Sequence, residues 1–264
     1  MWRIAVLLQV SACSLYFPDQ PLPPETPKYE LIRTHSISGE LPIAGIDSDG
    51  TGGLWILYDH QIGNFGEPAD IRIVHVDAGG HKLSEWSYPD EYYFVAGIAY
   101  GGDTLFIGYD IHKAAMSGAV RAIDARTGAE RGRFVTELGF VDLAFRDGDL
   151  LISNIFNVVI AVDPSTGGER WRFQGPPFTQ STQAGIATVG DYFWLSSWMD
   201  GAEAALQSHF ALVDRAGDIL GTAHAAMYDA QTYAGLSDGM QLAWDGTHLI
   251  VQWRNQITWY ETQR

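Results

Sequence analysis

The stretch Val120-Arg-Ala-Ile-Asp124-Ala-Arg-Thr-Gly128-Ala-Glu130-Arg-Gly-Arg-Phe134 returns as Val159-Ile-Ala-Val-Asp163-Pro-Ser-Thr-Gly167-Gly-Glu169-Arg-Trp-Arg-Phe173. Each copy reads as an apolar strand, a tight turn in which the Asp carboxylate accepts backbone N–H groups and Gly supplies a positive φ, then a second strand. A segment that recurs every few dozen residues is the mark of a solenoid or a propeller. The repeat speaks to architecture and carries no chemistry of its own.

Working outward, the same register appears five times. The openings are Ala44-Gly-Ile46, Ala96-Gly-Ile98, Val141-Asp-Leu143, Ala184-Gly-Ile186 and Met240-Gln-Leu242, separated by 43 to 56 residues. Each leads through a Gly- or Asp-containing turn into a second apolar run: Leu54–Tyr58, Leu105–Tyr109, Leu150–Asn154, Phe193–Ser197 and Leu249–Trp253. Third runs end near Asp77, Asp124, Asp163 and Asp214, and fourth runs follow in the first four units. That period, with four strands per unit, is the period of a propeller blade. The fifth unit is one strand short, because Gln256–Thr262 runs nearly to Arg264. Tyr29–Ile37 has the composition to supply the missing strand and to pair two otherwise exposed edges. The expectation is an all-β chain: a β-propeller of five four-stranded blades over 29–264, closed by an N-terminal strand.

Composition narrows the partners. With 32 acidic against 16 basic residues the formal charge is −16, which repels a phosphate backbone and argues against nucleic acid. A repeat array of 264 residues counts as one domain, expected to be monomeric.

The one cysteine, Cys13, follows an apolar run, Ile4–Val10, that is too short to span a bilayer. With Arg3 before the run and Val10-Ser-Ala-Cys13 closing it, the segment resembles a bacterial lipoprotein signal: 1–12 would be removed and Cys13 acylated. Ordinary signal-peptidase cleavage and a structural N-terminus are the alternatives, but only the lipoprotein explains the position of the lone thiol. Proline at 18, 21, 23, 24 and 27 disfavours helix and favours an extended spacer, so 13–28 reads as lipidated Cys plus tether. Ser14 after the Cys, by the same resemblance, implies the outer membrane of a Gram-negative cell. The expected location is the cell envelope, facing the periplasm or the exterior.

The Asp-x-x-Thr-Gly units at 124–128 and 163–167 also resemble the repeats of quinoprotein-like, pyrroloquinoline-quinone-type propellers, a group that includes outer-membrane assembly scaffolds. The quinone-dependent members have many more blades and a much longer chain, so the resemblance implies the fold and not the cofactor. No cofactor is expected. A divalent cation is the single candidate ion.

Strand order puts the second-to-third and fourth-to-first connections on one face, the usual ligand face of a propeller. Tyr58-Asp59-His60 and Tyr109-Asp110-Ile-His112 end equivalent strands in neighbouring units, with Trp198, Asp200, Trp253 and Arg254 at the matching ends of the fourth and fifth. Converging carboxylates and imidazoles are able to bind a cation or serve as general acid and base. The plainer reading is that each Asp caps a turn and each His is solvated. Nothing resembling a nucleophile elbow, a phosphate loop or a His-x-x-x-His pair strengthens the catalytic case. Trp55, Phe106, Trp194, Trp86 and Trp171 recur in register and are expected to pack between units, whereas Tyr88, Tyr92, Tyr93, Tyr228 and Tyr233 are candidates to line a sugar or peptide groove.

Two functions compete: a membrane-anchored binding or scaffold module for a protein, peptide or glycan, and a small propeller enzyme (lyase, hydrolase or cyclotransferase) acting at the central mouth. The anchor is directly testable. Cys13→Ser is expected to move the protein to the soluble fraction and to abolish incorporation of labelled palmitate; unchanged membrane fractionation would remove the lipoprotein reading.

Overall fold

The structure, a computed structural model, describes residues 26–38, 43–59, 70–89, 94–110, 118–136, 139, 142–154, 158–176, 181–199, 207–226, 240–253 and 255–264. Among these every regular element is a strand. After β1 (Lys28–Ser38) come three four-stranded antiparallel sheets. The first holds β2 (Ile43–Ser48), β3 (Leu54–Asp59), β4 (Asp70–Val76) and β5 (Lys82–Pro89). The second holds β6 (Phe94–Gly101), β7 (Thr104–Asp110), β8 (Gly118–Asp124) and β9 (Glu130–Thr136). The third holds β10 (Asp142–Arg146), β11 (Asp149–Ser153), β12 (Val158–Val162) and β13 (Glu169–Gln174). The remaining strands are β14 (Ser181–Val189), β15 (Tyr192–Met199), β16 (Gln207–Val213), β17 (Ile219–Ala226), β18 (Gln241–Trp244), β19 (His248–Trp253) and β20 (Gln256–Gln263). They form one eight-stranded sheet in the order β14-β15-β16-β17-β1-β20-β19-β18.

The large sheet has two antiparallel halves joined by a short parallel contact. On one side β1 pairs antiparallel with β20 from Glu30 opposite Gln263 to Ser38 opposite Gln256. On the other it pairs parallel with β17 over Lys28–Glu30, and Pro27 O accepts the Thr222 N–H at 2.9 Å. The N-terminal strand thus completes the last group of strands, as the short fifth register predicts, and additionally joins it to the preceding group.

The first strands of the groups close a ring, β2 against β6, β6 against β10, β10 against β14, β14 against β18 and β18 against β2. An apolar cluster fills each seam. One joins Trp55, Leu57 and Ile73 to Ile98 and Ile107, a second Phe106 and Val120 to Leu143 and Ile152, a third Leu151 and Val159 to Ile186 and Phe193. A fourth joins Trp194 and Phe210 to Leu242 and Val251, and a fifth Ala243 and Ile250 to Ile46 and Ile56. This is the architecture of a β-propeller.

The repeat that opens the sequence now has a physical function. Asp124 Oδ1 accepts the N–H groups of Arg126 and Thr127 while its other oxygen takes Arg131 at 2.6 Å; Asp163 does the same for Ser165 and Thr166 and pairs with Arg170. These contacts hold both carboxyls below the usual carboxylate range, side-chain hydrogen bonds to Arg131 and to Ser165 being the largest causes. Asp77 and Asp214 likewise accept N–H groups of their own turns. The glycine that follows is a socket for the preceding sheet. At Gly128 (φ 72°) a Cβ would lie 2.4 Å from a Trp86 ring atom, and at Gly167 (φ 75°) 2.4 Å from one of Phe134. Each outer strand therefore docks its aromatic against the Asp-Gly turn of the next sheet, and any side chain at that glycine would expel it.

The aromatics in register pack at the seams, some pairs within one sheet and others, Trp55 with Tyr100, Phe106 with Phe145 and Trp171 with Phe193, across two. Trp55 stacks with Trp86 and His75 and tilts against Tyr100, Phe106 stacks on Phe145, Trp171 meets Phe193, and Tyr29 of β1 meets Trp194 edge-on. Because β1 is hydrogen-bonded along β20 and packs the half-buried Tyr29 against the cluster around Trp194, deleting 28–38 is expected to lower Tm by about 10 °C or more, or to cause aggregation. Deleting 14–25 should leave Tm unchanged, and equal loss in the two truncations, measured by calorimetry, would contradict closure by β1.

Candidate functional site

The end of the ring at which the first strands begin and the second strands end is called the upper end. Of the ten buried polar or charged residues among those described, six gather there: Asp142, Ser153, Asn154, Ser196, Gln241 and Gln252. The long connections 59–70, 110–118, 199–207 and 226–241 leave and enter at this same end.

Asp142 opens β10 and is fully buried. Its Oδ2 accepts the N–H groups of Ile186 (3.0 Å) in β14 and Leu242 (3.2 Å) in β18, and its Oδ1 that of Leu143 (2.8 Å). One carboxyl thus ties three first strands together. Gln241 donates from Nε2 to Ala96 O of β6 at 3.1 Å, and Gln252 to Ile43 O of β2 at 2.9 Å. Lower in the ring, Asp47 of β2 accepts the Tyr100 N–H of β6 at 2.6 Å and that of Ser48 at 2.8 Å. These bonds reach every first strand, crossing between strands that are not neighbours as well as between those that are.

The space for them comes from glycine. A Cβ on Gly97 would lie 2.8 Å from Asp142 Oδ1 and 3.1 Å from Gln241 Oε1. The Ala-Gly pairs at 44–45, 96–97 and 184–185 also sit at register shifts in the pairing of β2, β6 and β14 with their second strands. The first strands that carry Asp142 and Gln241 pair without such a shift. Small residues and bulges on three strands therefore accommodate the polar side chains of the other two.

Burial pushes the Asp142 carboxyl well above the ordinary range, against the opposing pull of the three N–H donors, with the Asp47 charge adding to the rise. Burial likewise raises Asp47 to about 7 against the N–H bonds from Tyr100 and Ser48. Both oxygens of each carboxyl are already engaged by backbone donors. Chemically this floor is a set of carboxyl acceptors and amide donors engaged with the backbone of the ring itself.

Of the site residues expected from sequence, Asp59 and Asp110 do end β3 and β7 at the upper end, where they pair with Ile71 and with Phe94 and Gly118; their side chains lie outside the described set. His60, His112, Asp200, Arg254 and Cys13 lie outside the described residues. Trp198 falls within β15 opposite Thr182, and Trp253 packs against the apolar cluster joining β14–β17 to β18–β20. Tyr88, a candidate for a ligand groove, instead donates from its hydroxyl to Gly128 O at 2.6 Å and lies beside the Arg121 guanidinium, committed to the seam between the first and second sheets. Tyr92, Tyr93, Tyr228 and Tyr233 lie outside the described residues. Among the described residues no group of three or more His, Cys, Asp or Glu is placed to hold a metal.

Sequence reasoning missed Asp142 and Gln241 as a pair. The signal was present: they occupy the Gly position of an otherwise Ala-Gly-Ile register.

No family model matches the chain, and no curated protein matches it in sequence. Among solved structures it is similar to the glutaminyl cyclase of Myxococcus xanthus, with a TM-score of 0.66 at 10% identity over 90% of this chain and 98% of that one. It also aligns with the Pan2 WD40 domain of Neurospora crassa (TM-score 0.47, 9% identity, 92% and 98% covered) and with BamB from Moraxella catarrhalis (TM-score 0.40, 13% identity, 88% and 99% covered). A likeness at 10% identity is one of fold.

Asp142→Ala strands three buried N–H groups at about 1–3 kcal/mol each, so a loss of at least about 3 kcal/mol is expected, read as a Tm fall of roughly 10 °C or more. The pH dependence has a definite sign. With its folded pKa raised from 3.8 to about 7, Asp47 holds a proton in the folded chain that the unfolded chain releases, so its stabilisation is complete below about pH 4 and is lost as pH rises through 7. At about 1.4 kcal/mol per unit this is at most about 4 kcal/mol, less the screening by water at a side chain that keeps some exposed surface. Tm of Asp47→Asn relative to the parent should therefore rise between pH 5 and pH 8, and a pH-independent difference would contradict the assignment.

Proposed function

We propose that the chain is a five-bladed β-propeller, the eight-stranded sheet being two blades joined through β1, and that it works as a binding or scaffold module in a bacterial cell envelope, held there through Cys13. The observation that carries this reading is the commitment of the floor. Asp47, Asp142 and Gln241 on first strands and Gln252 on β19 all engage backbone groups of first strands in other groups, so recognition falls to the connections above them. These connections are long in some blades and short in others, which suits a shaped surface for a protein, peptide or glycan. The acidic surplus favours a cationic or neutral polar ligand over an anion, and a divalent cation is a candidate component of the mouth.

A second reading rests on the likeness to a glutaminyl cyclase over nearly the whole of both chains. In that reading the chain is a cyclotransferase or related small propeller enzyme, with Asp59, His60, Asp110 and His112 at the rim of the mouth.

One experiment separates the two. The purified domain and its Asp59→Ala, Asp110→Ala double variant are offered peptide and glycan arrays, and in parallel peptides beginning with Gln, with ammonia release followed. Saturable binding without turnover, lost in the double variant at unchanged Tm, is the expected result. Catalytic ammonia release would replace the scaffold reading with the enzyme.

A further inference from the structure

The strand directions give the ring two unlike ends. At the upper end lie the long connections and the starts of the first strands. At the other end the chain turns in short hairpins, such as Asp49–Gly53, Asp124–Ala129, Asp163–Gly168 and Asp245–His248. The position of β1 between these ends is unambiguous. Its last residue, Ser38, pairs with Gln256, which itself faces Trp253 at the upper end, whereas Glu30 pairs with Gln263 at the far end of β20. Lys28 lies beside Thr222 near the start of β17, and Pro27 O accepts the Thr222 N–H. The chain therefore enters the fold past Gly221, beside the Asp214–Asp218 hairpin, at the lower rim.

We infer that the protein, when tethered through the residues before Thr26, turns its lower hairpins toward the tethering surface and its long connections away from it, so that its partner arrives from the aqueous side. The inference rests on the envelope-anchor reading for the nature of the surface, but the direction comes from the strand order alone. Charge acts in the same sense. Asp124 and Asp163 of the lower turns are paired with Arg131 and Arg170, but the same set of hairpins also carries Asp49, Asp77, Asp103, Asp214, Asp218 and Asp245, so acidic side chains outnumber basic ones there. An anionic lipid surface repels such a face within a Debye length of about 8–10 Å, and a Pro-rich stretch between Cys13 and Thr26, at roughly 3 Å per residue when extended, is long enough to span that gap.

The test needs no native lipid. Cys13 is the only cysteine, so Cys13→Ser gives a thiol-free chain. Replacing residues 1–12 by a histidine tag fixes it to vesicles of phosphatidylcholine containing a nickel-chelating lipid. Two single-cysteine versions, Thr247→Cys in the lower hairpin of the last strand group and Asn255→Cys in its upper turn, are labelled with a donor dye, and energy transfer to an acceptor in the lipid headgroups is measured. Both positions are exposed and belong to the same group, so lateral position is shared and height is isolated. Transfer from position 247 several-fold greater than from 255 is expected; equal transfer, or the reverse order, overturns the inference. Palmitate labelling of the unaltered chain tests the anchor separately, so loss of that reading leaves the orientation result standing.

Discussion

Strands arranged around an axis face a problem that a flat sheet does not. Each first strand pairs on one side with its second strand and turns its other edge inward, where backbone N–H and C=O groups meet neither a ladder partner nor bulk water. Buried backbone groups must nevertheless be paired. Here the solution is a set of side chains reaching from one strand to the inner edge of another: Asp142 to Ile186 and Leu242, Asp47 to Tyr100, Gln241 to Ala96 and Gln252 to Ile43. Carboxyls serve the N–H groups and amides serve the carbonyls, as their donor and acceptor inventories require.

The chemistry chosen has an electrostatic consequence. A carboxylate that accepts backbone N–H groups is stabilised by them, yet desolvation dominates and both Asp47 and Asp142 are shifted upward. The Asp47 charge adds to the rise at Asp142. The exposed turn aspartates move the opposite way, since water and Arg131 or Arg170 surround them. The same residue type therefore performs two tasks: inside, a tie between strands whose charge is penalised by burial; outside, a cap for a turn whose charge is favoured by its donors.

How much of this was legible in the sequence depends on the range of the interaction. The Asp-Gly turns, the register of Ala-Gly-Ile openings and the strand at 29–37 are local patterns, and each reappears at its expected place. The register of Trp55, Phe106 and Trp194 likewise foretold packing, because residues at one position of a repeat meet the same neighbour in each copy. Tyr88 differs from its expected place because nearness in sequence to a long connection is not nearness to it in space. The docking of one outer strand on the next turn draws Tyr88 into a seam. Asp142 and Gln241 were visible only as departures from glycine. Their meaning requires five strands brought round one axis, which no single window of sequence contains.

The division of labour follows from geometry. A polar side chain at the floor bonds to two or three strands at once, so its replacement disturbs the whole ring, and the glycines opposite it leave no room for a larger substitute. The upper connections begin where those bonds end, on strands whose positions are already set. Unequal lengths such as those of 59–70 and 154–158 therefore cost little closure entropy. A ring held together by its own axis places little demand on the connections it carries, so a likeness at 10% identity is one of architecture alone.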